Sequence, residues 1–312
     1  MDVVTALAAP AVDVSVIVCT RNRSEALARL LEQLEHLVVP GGLRWELIVV
    51  DNASTDDTAS LLASRRTSLP MRVLHERIPG LSRARNAGIA ASRGDLLLFT
   101  DDDCLPDAHW LATIHEEFTR APSLDVLGGR VELFDPRDRP TTTRTSRERG
   151  EISAAINLDG VIGCNLSVRR SALAAIGPFD VGLGGGTGAG AGEDVDFVYR
   201  SLCAGLRVEY SPDALVYHNH GRRTDAQVRT LTRTYTVARG AIFCKYVMAG
   251  DRGIVPRIRQ DVSYHARALA ADVRAGRFPT RVLRHYYHLG AGAAYWIRHR
   301  LTARRPGRGS AV

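Results

Sequence analysis

The chain has 312 residues, 45% hydrophobic and 24% charged. That balance excludes a disordered chain and allows one large domain with an appendage, or two modest ones. The formal charge is +7 and Lys245 is the one lysine, so the basic side is almost all arginine; such a surface suits phosphates, acidic lipids or nucleic acid, and genomic base composition produces the same bias. Cys19, Cys104, Cys164, Cys203 and Cys244 form no C-x-x-C pair, so neither a zinc site nor a disulfide framework is indicated and a reducing cytoplasm fits.

In chain order, residues 1–12 read as an N-terminal extension. They lack the basic start and long apolar core of a signal peptide. Val14–Thr20 (VSVIVCT) is a continuous buried-strand run, followed by a helical pattern over 24–37. Trp45–Asp51 (WELIVVD) is a second strand, and Ser54, Thr55 and Asp56 supply capping chemistry for the next helix. A short strand at Met71–His75, a helix over 82–92 and a strand over 96–100 follow. Strand–helix alternation with uninterrupted apolar strands predicts a mostly parallel α/β sheet, Rossmann-like, with helices on both faces. Ligands on such sheets bind at the carboxyl ends of the strands, here at Thr20, Asp51 and Asp101. Past another strand at 125–131, residues 136–150 read as a mobile arginine-rich loop. An apolar run over 161–168 precedes a glycine tract over 182–192, expected to be flexible. From Thr224 onward the texture is basic and helical, ending in a disordered-looking tail. The predicted division is a catalytic domain over 13–223 and a helical region over 224–312.

The sharpest chemistry lies in LLLFTDDDCLP, 96–106. Three successive carboxylates repel one another unless compensated, and a strand's period of two puts Asp101 and Asp103 on one side. With diphosphate oxygens they suit a hard divalent cation, Mg²⁺ or Mn²⁺; an acidic turn before a helix reads the same way. Glu193 and Asp194 open a helix after the glycine tract. They serve either as a general base or as helix caps. Asp51 accepts a hydrogen bond from a base or ribose, or closes an Asx turn. Arg83, Arg85 and Asn86 in GLSRARNAG suit phosphate or a base edge, or form a solvated face. His218 and His220 alternate onto one side of a short strand, where one of them completes a cation's coordination.

In this order the elements over 14–220 resemble the family 2 glycosyltransferases of the GT-A fold. The resemblance implies that Thr20 and Arg23 line the nucleotide pocket and that Asp51 binds the base. It implies that Asp101, Asp102 and Asp103 hold the metal and donor diphosphate, with Gly163, Asn165 and Glu193 near the donor sugar and acceptor. Asp194 is then the catalytic base of an inverting transfer, and His218 or His220 a further metal ligand. The implied cofactor is Mn²⁺ or Mg²⁺. The implied donor is a nucleotide sugar, a UDP-sugar by family habit, and the acceptor is unread: a saccharide, a lipid-linked glycan or a small molecule. A nucleotidyltransferase would carry a glycine- and lysine-rich loop where CTRNRSEAL stands; a non-catalytic nucleotide- or membrane-binding protein would have little use for the intact acids. No recognised module supports nucleic acid as a partner. Residues 281–300 mix arginine, histidine and aromatics, the texture of a helix at a lipid interface or of a basic helix packed on its own domain. No uncharged run reaches the roughly 18 residues of a membrane span. The expected location is the cytoplasm, with a peripheral place on the inner face of the plasma membrane left open.

Overall fold

The computed structural model describes residues 12–153 and 160–303; the extension over 1–11 and the tail from 304 lie outside them. Strands β1 (Val14–Thr20), β2 (Trp45–Asp51), β3 (Met71–His75) and β4 (Leu96–Asp101) pair in parallel in the order β3-β2-β1-β4. The sheet then becomes mixed. β8 (Leu166–Arg169) runs antiparallel between β4 and β6 (Val126–Leu133). β9 (Val208–His218) runs parallel to β6, and β5 (Cys104–Pro106) and β7 (Gly150–Glu151) pair antiparallel to β9. Register aligns Thr20 with Asp51 and Cys19 with Asp101, so the carboxyl ends of β1, β2 and β4 share one edge.

Alternation along the strands divides the core. Val16, Val18, Leu47, Val49 and Leu98 face one side, where they meet α1 (Ser24–Leu34) and α4 (Trp110–Arg120). In α1 the buried positions Leu27, Leu30, Leu31 and Leu34 follow helical spacing, and the helix stops at Leu34, short of the predicted 37. Ile17, Ile48, Val50, Leu97 and Phe99 face the other side. There they meet α3 (Leu81–Ala91), α6 (Glu193–Cys203) and two long C-terminal helices, α7 (Asp225–Met248) and α9 (Thr280–Ala303). Short helices α2 (Thr58–Ser64) and α5 (Ala172–Ile176) complete the layers, and α8 (Val255–Arg274) joins α7 to α9. Of the predicted caps for α2, Asp56 acts: its Oδ1 accepts from the Thr58 N–H at 3.1 Å.

α7 and α9 cross at glycines. A Cβ on Gly240 would stand 2.0 Å from the Leu289 carbonyl oxygen, and one on Gly292 1.9 Å from that of Val237. α7 is pinned to α6 through Asp196, which is fully buried. Its carboxylate accepts from the Tyr246 hydroxyl at 2.7 Å, from Arg200 Nε at 2.9 Å, and from Lys245 Nζ. The chain's lone lysine is therefore structural.

Two expectations of mobility are corrected. Residues 136–150 are tied down: Asp138 accepts from the Gly221 N–H at 2.8 Å, and Arg144 bridges to Val131. Arg149 donates to the buried Glu117. The glycine tract is packed, not free: Leu81 N–H donates to Gly185 O at 2.9 Å, the Tyr295 hydroxyl donates to Gly182 O at 2.8 Å, and Gly188 lies against the Tyr295 ring. Gly192 needs glycine for its backbone, since φ is 93° at the residue before α6.

Burial opposes ionisation of Glu117, but hydrogen bonds from Arg149, Arg120 and Ser211 outweigh it and hold the carboxyl at about 2. A depressed folded pKa stabilises above the unfolded value and is lost as pH falls through the folded one. Glu117→Gln is expected to cost about 2 kcal/mol at pH 7, with the gap closing between pH 4.5 and 2; urea midpoints across that range measure it.

Candidate active site

β4 ends at Asp101, and residues 102–103 form the turn into β5. The period-two argument for Asp101 and Asp103 therefore fails, and the turn instead aims the three acids at different partners. Asp102 is buried and accepts from Thr20 Oγ1 at 2.8 Å and Arg23 Nη1 at 3.1 Å. Burial pushes its carboxyl up to about 6 despite Arg23. Asp103 accepts from the same Arg23 nitrogen at 2.7 Å and lies 3.4 Å from His218 Nε2. Burial opposes its charge, but His218 and Arg23 hold it at about 2. Burial likewise opposes protonation of His218, and Asp103 overrides it, raising the imidazole to about 9. Asp101, a third exposed, accepts from Arg85 Nη2 at 3.1 Å.

The ring hydrogen bonds separate the two histidines. His218 Nδ1 faces the Thr142 carbonyl at 3.3 Å, so Nδ1 keeps its proton in either charge state, and Nε2, toward Asp103, becomes a ligand once its own proton leaves. His220 Nδ1 accepts from the Arg222 N–H at 3.0 Å, so in the neutral ring Nε2 carries the proton. That Nε2 is buried and has no partner among the described residues. His220 thus uses Nδ1 as an acceptor within the fold, with Asp138 Oδ2 3.5 Å from it. With Arg23, Ser24, Arg29, Asp103 and Asn219 it lines an open cleft of about 500 Å³ beside the carboxylate turn. Arg29 and Asn219 were not legible as site residues. Arg29 carries no motif, and Asn219 arrives because its N–H donates to Asp103 O at 2.8 Å.

Across the same strand edge, Asp51 is buried, accepts from the Ser54 N–H at 3.0 Å, and has His75 Nδ1 at 3.4 Å. Asn22, at φ 54°, accepts from Thr55 N–H at 2.7 Å and so fastens the loop after β1 to the loop after β2. Arg83, half-buried at the start of α3, has no hydrogen bond or ion pair among the described residues.

The second cluster centres on Arg85, whose side chain is 3% exposed. Nη1 donates to Glu193 Oε1 at 3.0 Å, and Nη2 to Asp101 Oδ1 at 3.1 Å and Gly163 O at 3.3 Å. Burial alone would lower the guanidinium's pKa, and the charges of Asp101 and Glu193 raise it instead. Glu193 is buried with it; burial and the neighbouring Asp194 charge push its carboxyl up to about 7 against Arg85. Asp194, the next residue, stays half-exposed. Gly163 N–H donates to its Oδ2 at 2.9 Å and Val195 N–H to its Oδ1 at 2.8 Å, which fixes the carboxylate's orientation.

Four expected contact residues are occupied by the fold. Asn86 exchanges both amide hydrogen bonds with the Phe179 backbone, at 2.8 and 2.9 Å. Asn165 is 1% exposed and donates to Arg130 O and Ala214 O while accepting from Trp110 Nε1. Its amide fills the bulge at Gly129, where a Cβ would come within 2.2 Å of it. Arg85 and Glu193 neutralise each other. These contacts hold the walls of the site in place, and the two asparagine amides are occupied by Phe179, Arg130, Ala214 and Trp110.

The family model for glycosyl transferase family 2 matches residues 15–177. The chain belongs to this family. It is 31% identical over 214 residues to succinoglycan biosynthesis protein ExoM of Rhizobium meliloti, covering 64% of each chain. It is 31% identical over 222 residues to a pre-mycofactocin glycosyltransferase of Mycobacterium tuberculosis, covering 67% of this chain and 43% of that one. This chain thus spans less than two thirds of the length of these relatives. Among solved structures, Staphylococcus aureus TarS 1–349 in complex with UDP-GlcNAc superposes with a TM-score of 0.57 at 18% identity, over 93% of this chain and 92% of that one. A mannosyltransferase from Pyrobaculum calidifontis in complex with GDP-Man and Mn²⁺ gives 0.57 at 20% identity, over 94% and 87%. These likenesses establish the GT-A type of fold for this family 2 chain.

Because one planar fork serves Glu193, Asp101 and Gly163 together, an ammonium cannot replace it. Arg85→Lys is expected to lower stability by about 2–4 kcal/mol, read from urea unfolding midpoints at pH 7.

Proposed function

We propose that this chain transfers a sugar from a nucleotide diphosphate sugar, with UDP as the nucleotide, to an acceptor hydroxyl with inversion at the anomeric carbon. The observation that carries this reading is Asp194: a half-exposed carboxylate, oriented by two backbone N–H groups, on the same Arg85 fork network as the carboxylate turn. Asp51 accepts from the base or ribose, and Arg23 and Arg83 meet the diphosphate. Asp194 takes the acceptor's proton as the new C–O bond forms and the bond to the diphosphate breaks on the opposite face of the sugar. Glu193 and Arg85 act by holding Asp194's helix against the strand edge.

The residues fit a divalent cation. Asp101 and Asp103 offer hard oxygen donors, and the Thr142 carbonyl orients His218 Nε2 toward Asp103, an arrangement common behind metal-bound imidazoles. Arg23, half-exposed, balances Asp102 and Asp103, and Arg85 balances Asp101. Mn²⁺ or Mg²⁺ on Asp101, Asp103 and His218 would offset the charge of the departing diphosphate. Family membership removes the nucleotidyltransferase reading.

Nucleotide-sugar binding and transfer across a donor panel, with Mn²⁺ and with chelator, test this reading. Asp103→Ala should lose metal-dependent donor binding. Asp194→Asn should bind donor within about threefold of wild type while transfer falls by at least about 10²-fold. Equal loss of donor binding in Asp194→Asn would overturn the base assignment, and no nucleotide binding under any condition would favour a non-catalytic protein.

A separate observation supports peripheral membrane contact. Residues 273–303 hold six arginines and no acidic residue. Phe278 and Tyr287 are 78% and 72% exposed, with Leu283, Ile297 and Leu301 exposed along α9. No helix among the described residues is long and apolar enough to cross a membrane. An arginine-ringed apolar surface suits an anionic bilayer, at about 1 kcal/mol per basic residue. Co-sedimentation with phosphatidylglycerol vesicles should exceed that with neutral vesicles, and the triple substitution of Phe278, Leu283 and Tyr287 to Ser should weaken it at least about tenfold.

A further inference from the structure

Behind the carboxylate turn lie two cysteines that the transfer chemistry does not use, on the far side of His218. The β5–β9 register places Cys104 opposite His218. Cys164, next to Gly163 in a single 3₁₀ turn, completes a trio with Cys104 and His218 whose ligand atoms all lie within 4.8 Å of one another. All three residues are buried, at 0%, 1% and 4% exposure. The Thr142 carbonyl holds His218 by Nδ1, so Nε2 is the nitrogen left for a ligand. Asp103 Oδ1 lies 3.4 Å from that Nε2, outside the grouping of the three.

We propose that Cys104, Cys164 and His218 form a three-ligand tetrahedral site, its fourth position open to water, for a soft divalent cation of the zinc class, and that its occupancy inhibits the enzyme. Zn–S bonds of about 2.3 Å and Zn–N bonds of about 2.0 Å set ligand atoms roughly 3.5–3.8 Å apart, so the trio closes by about 1.3 Å at most. Two thiolates select Zn²⁺, Co²⁺ or Cd²⁺ over Mg²⁺ and Mn²⁺, which prefer oxygen. Binding releases the two thiol protons and the His218 Nε2 proton to solvent and changes no oxidation state. The inhibition rests on the function proposed above: the soft cation takes His218 from the hard cation on the turn. It also pulls on Cys164, whose neighbour Gly163 holds both Asp194 and Arg85.

Cobalt titration of the full, metal-free chain tests the site without reference to activity. One Co²⁺ per chain should produce a near-ultraviolet thiolate-to-cobalt charge-transfer band and the visible bands of tetrahedral cobalt. One equivalent of Zn²⁺ should abolish both, and excess Mn²⁺ should not. Cys104→Ala and Cys164→Ala should each lose the band, with cobalt affinity falling at least tenfold, while Cys203→Ala and Cys244→Ala keep it. The cluster of Asp261, His265 and His285 contains no sulfur and contributes no such band. Cobalt bound to the wild-type chain without a charge-transfer band, or a band surviving in both core variants, overturns the proposal; the wild-type spectrum decides even if those variants fail to fold. Donor binding in Mn²⁺ is read separately, so failure of the transferase reading remains distinguishable from failure of the sulfur site.

Discussion

A guanidinium buried in protein is tolerated only where its charge and its N–H groups are met, and Arg85 is the place where this chain meets that demand. Its partners come from the end of β4, from the turn at Gly163 and from the first residue of α6. Those are the elements that carry the metal-type acids and the candidate base. Removing any one partner strands a buried charge, so the geometry of the three is coupled. The nearby Phe179 ring, 5.3 Å from the guanidinium carbon, covers it on an apolar side.

A second buried charge cluster does the same for the C-terminal helices. Asp196, three residues after Glu193, is satisfied by Lys245, Tyr246 and Arg200, so α6 is held at its first turn by Arg85 and on its far side by α7. The close glycine crossing of α7 and α9 then brings Tyr295 and Trp296 onto the glycine tract. The helical region is therefore part of the wall behind the glycine tract and α6, while its outer face remains arginine-rich and apolar.

The acids of the turn illustrate how one short sequence yields different chemistries. Asp102 is raised to about 6 by burial, and Asp103 is held at about 2 by His218 and Arg23, although they are adjacent. The difference comes from which neighbour each carboxylate faces, and that was decided by the turn after Asp101 and by the β9 register.

Much of the architecture was legible before any coordinates. Continuous apolar runs such as VSVIVCT and WELIVVD are diagnostic because burial on both faces leaves no polar alternation, and their ends marked Thr20, Asp51 and Asp101 as an edge. The acids at 101–103 and 193–194 stood out for the electrostatic cost of crowding. What failed was inference about contacts. Asn86 and Asn165 looked like ligand-binding amides, yet both are consumed by backbone groups that lie 93, 35 and 49 residues away in sequence. The glycine tract and the arginine-rich loop looked mobile because composition reports local freedom, not the aromatic rings and carboxylates that later pack on them. Cys104, Cys164 and His218 showed no ligand spacing, since their proximity arises from an antiparallel register and a 3₁₀ turn. Local pattern and charge thus determined the strands, the helices and the family's motif order. The partner of each polar group was set only by the tertiary structure, because a buried hydrogen bond depends on which distant segment closes over it.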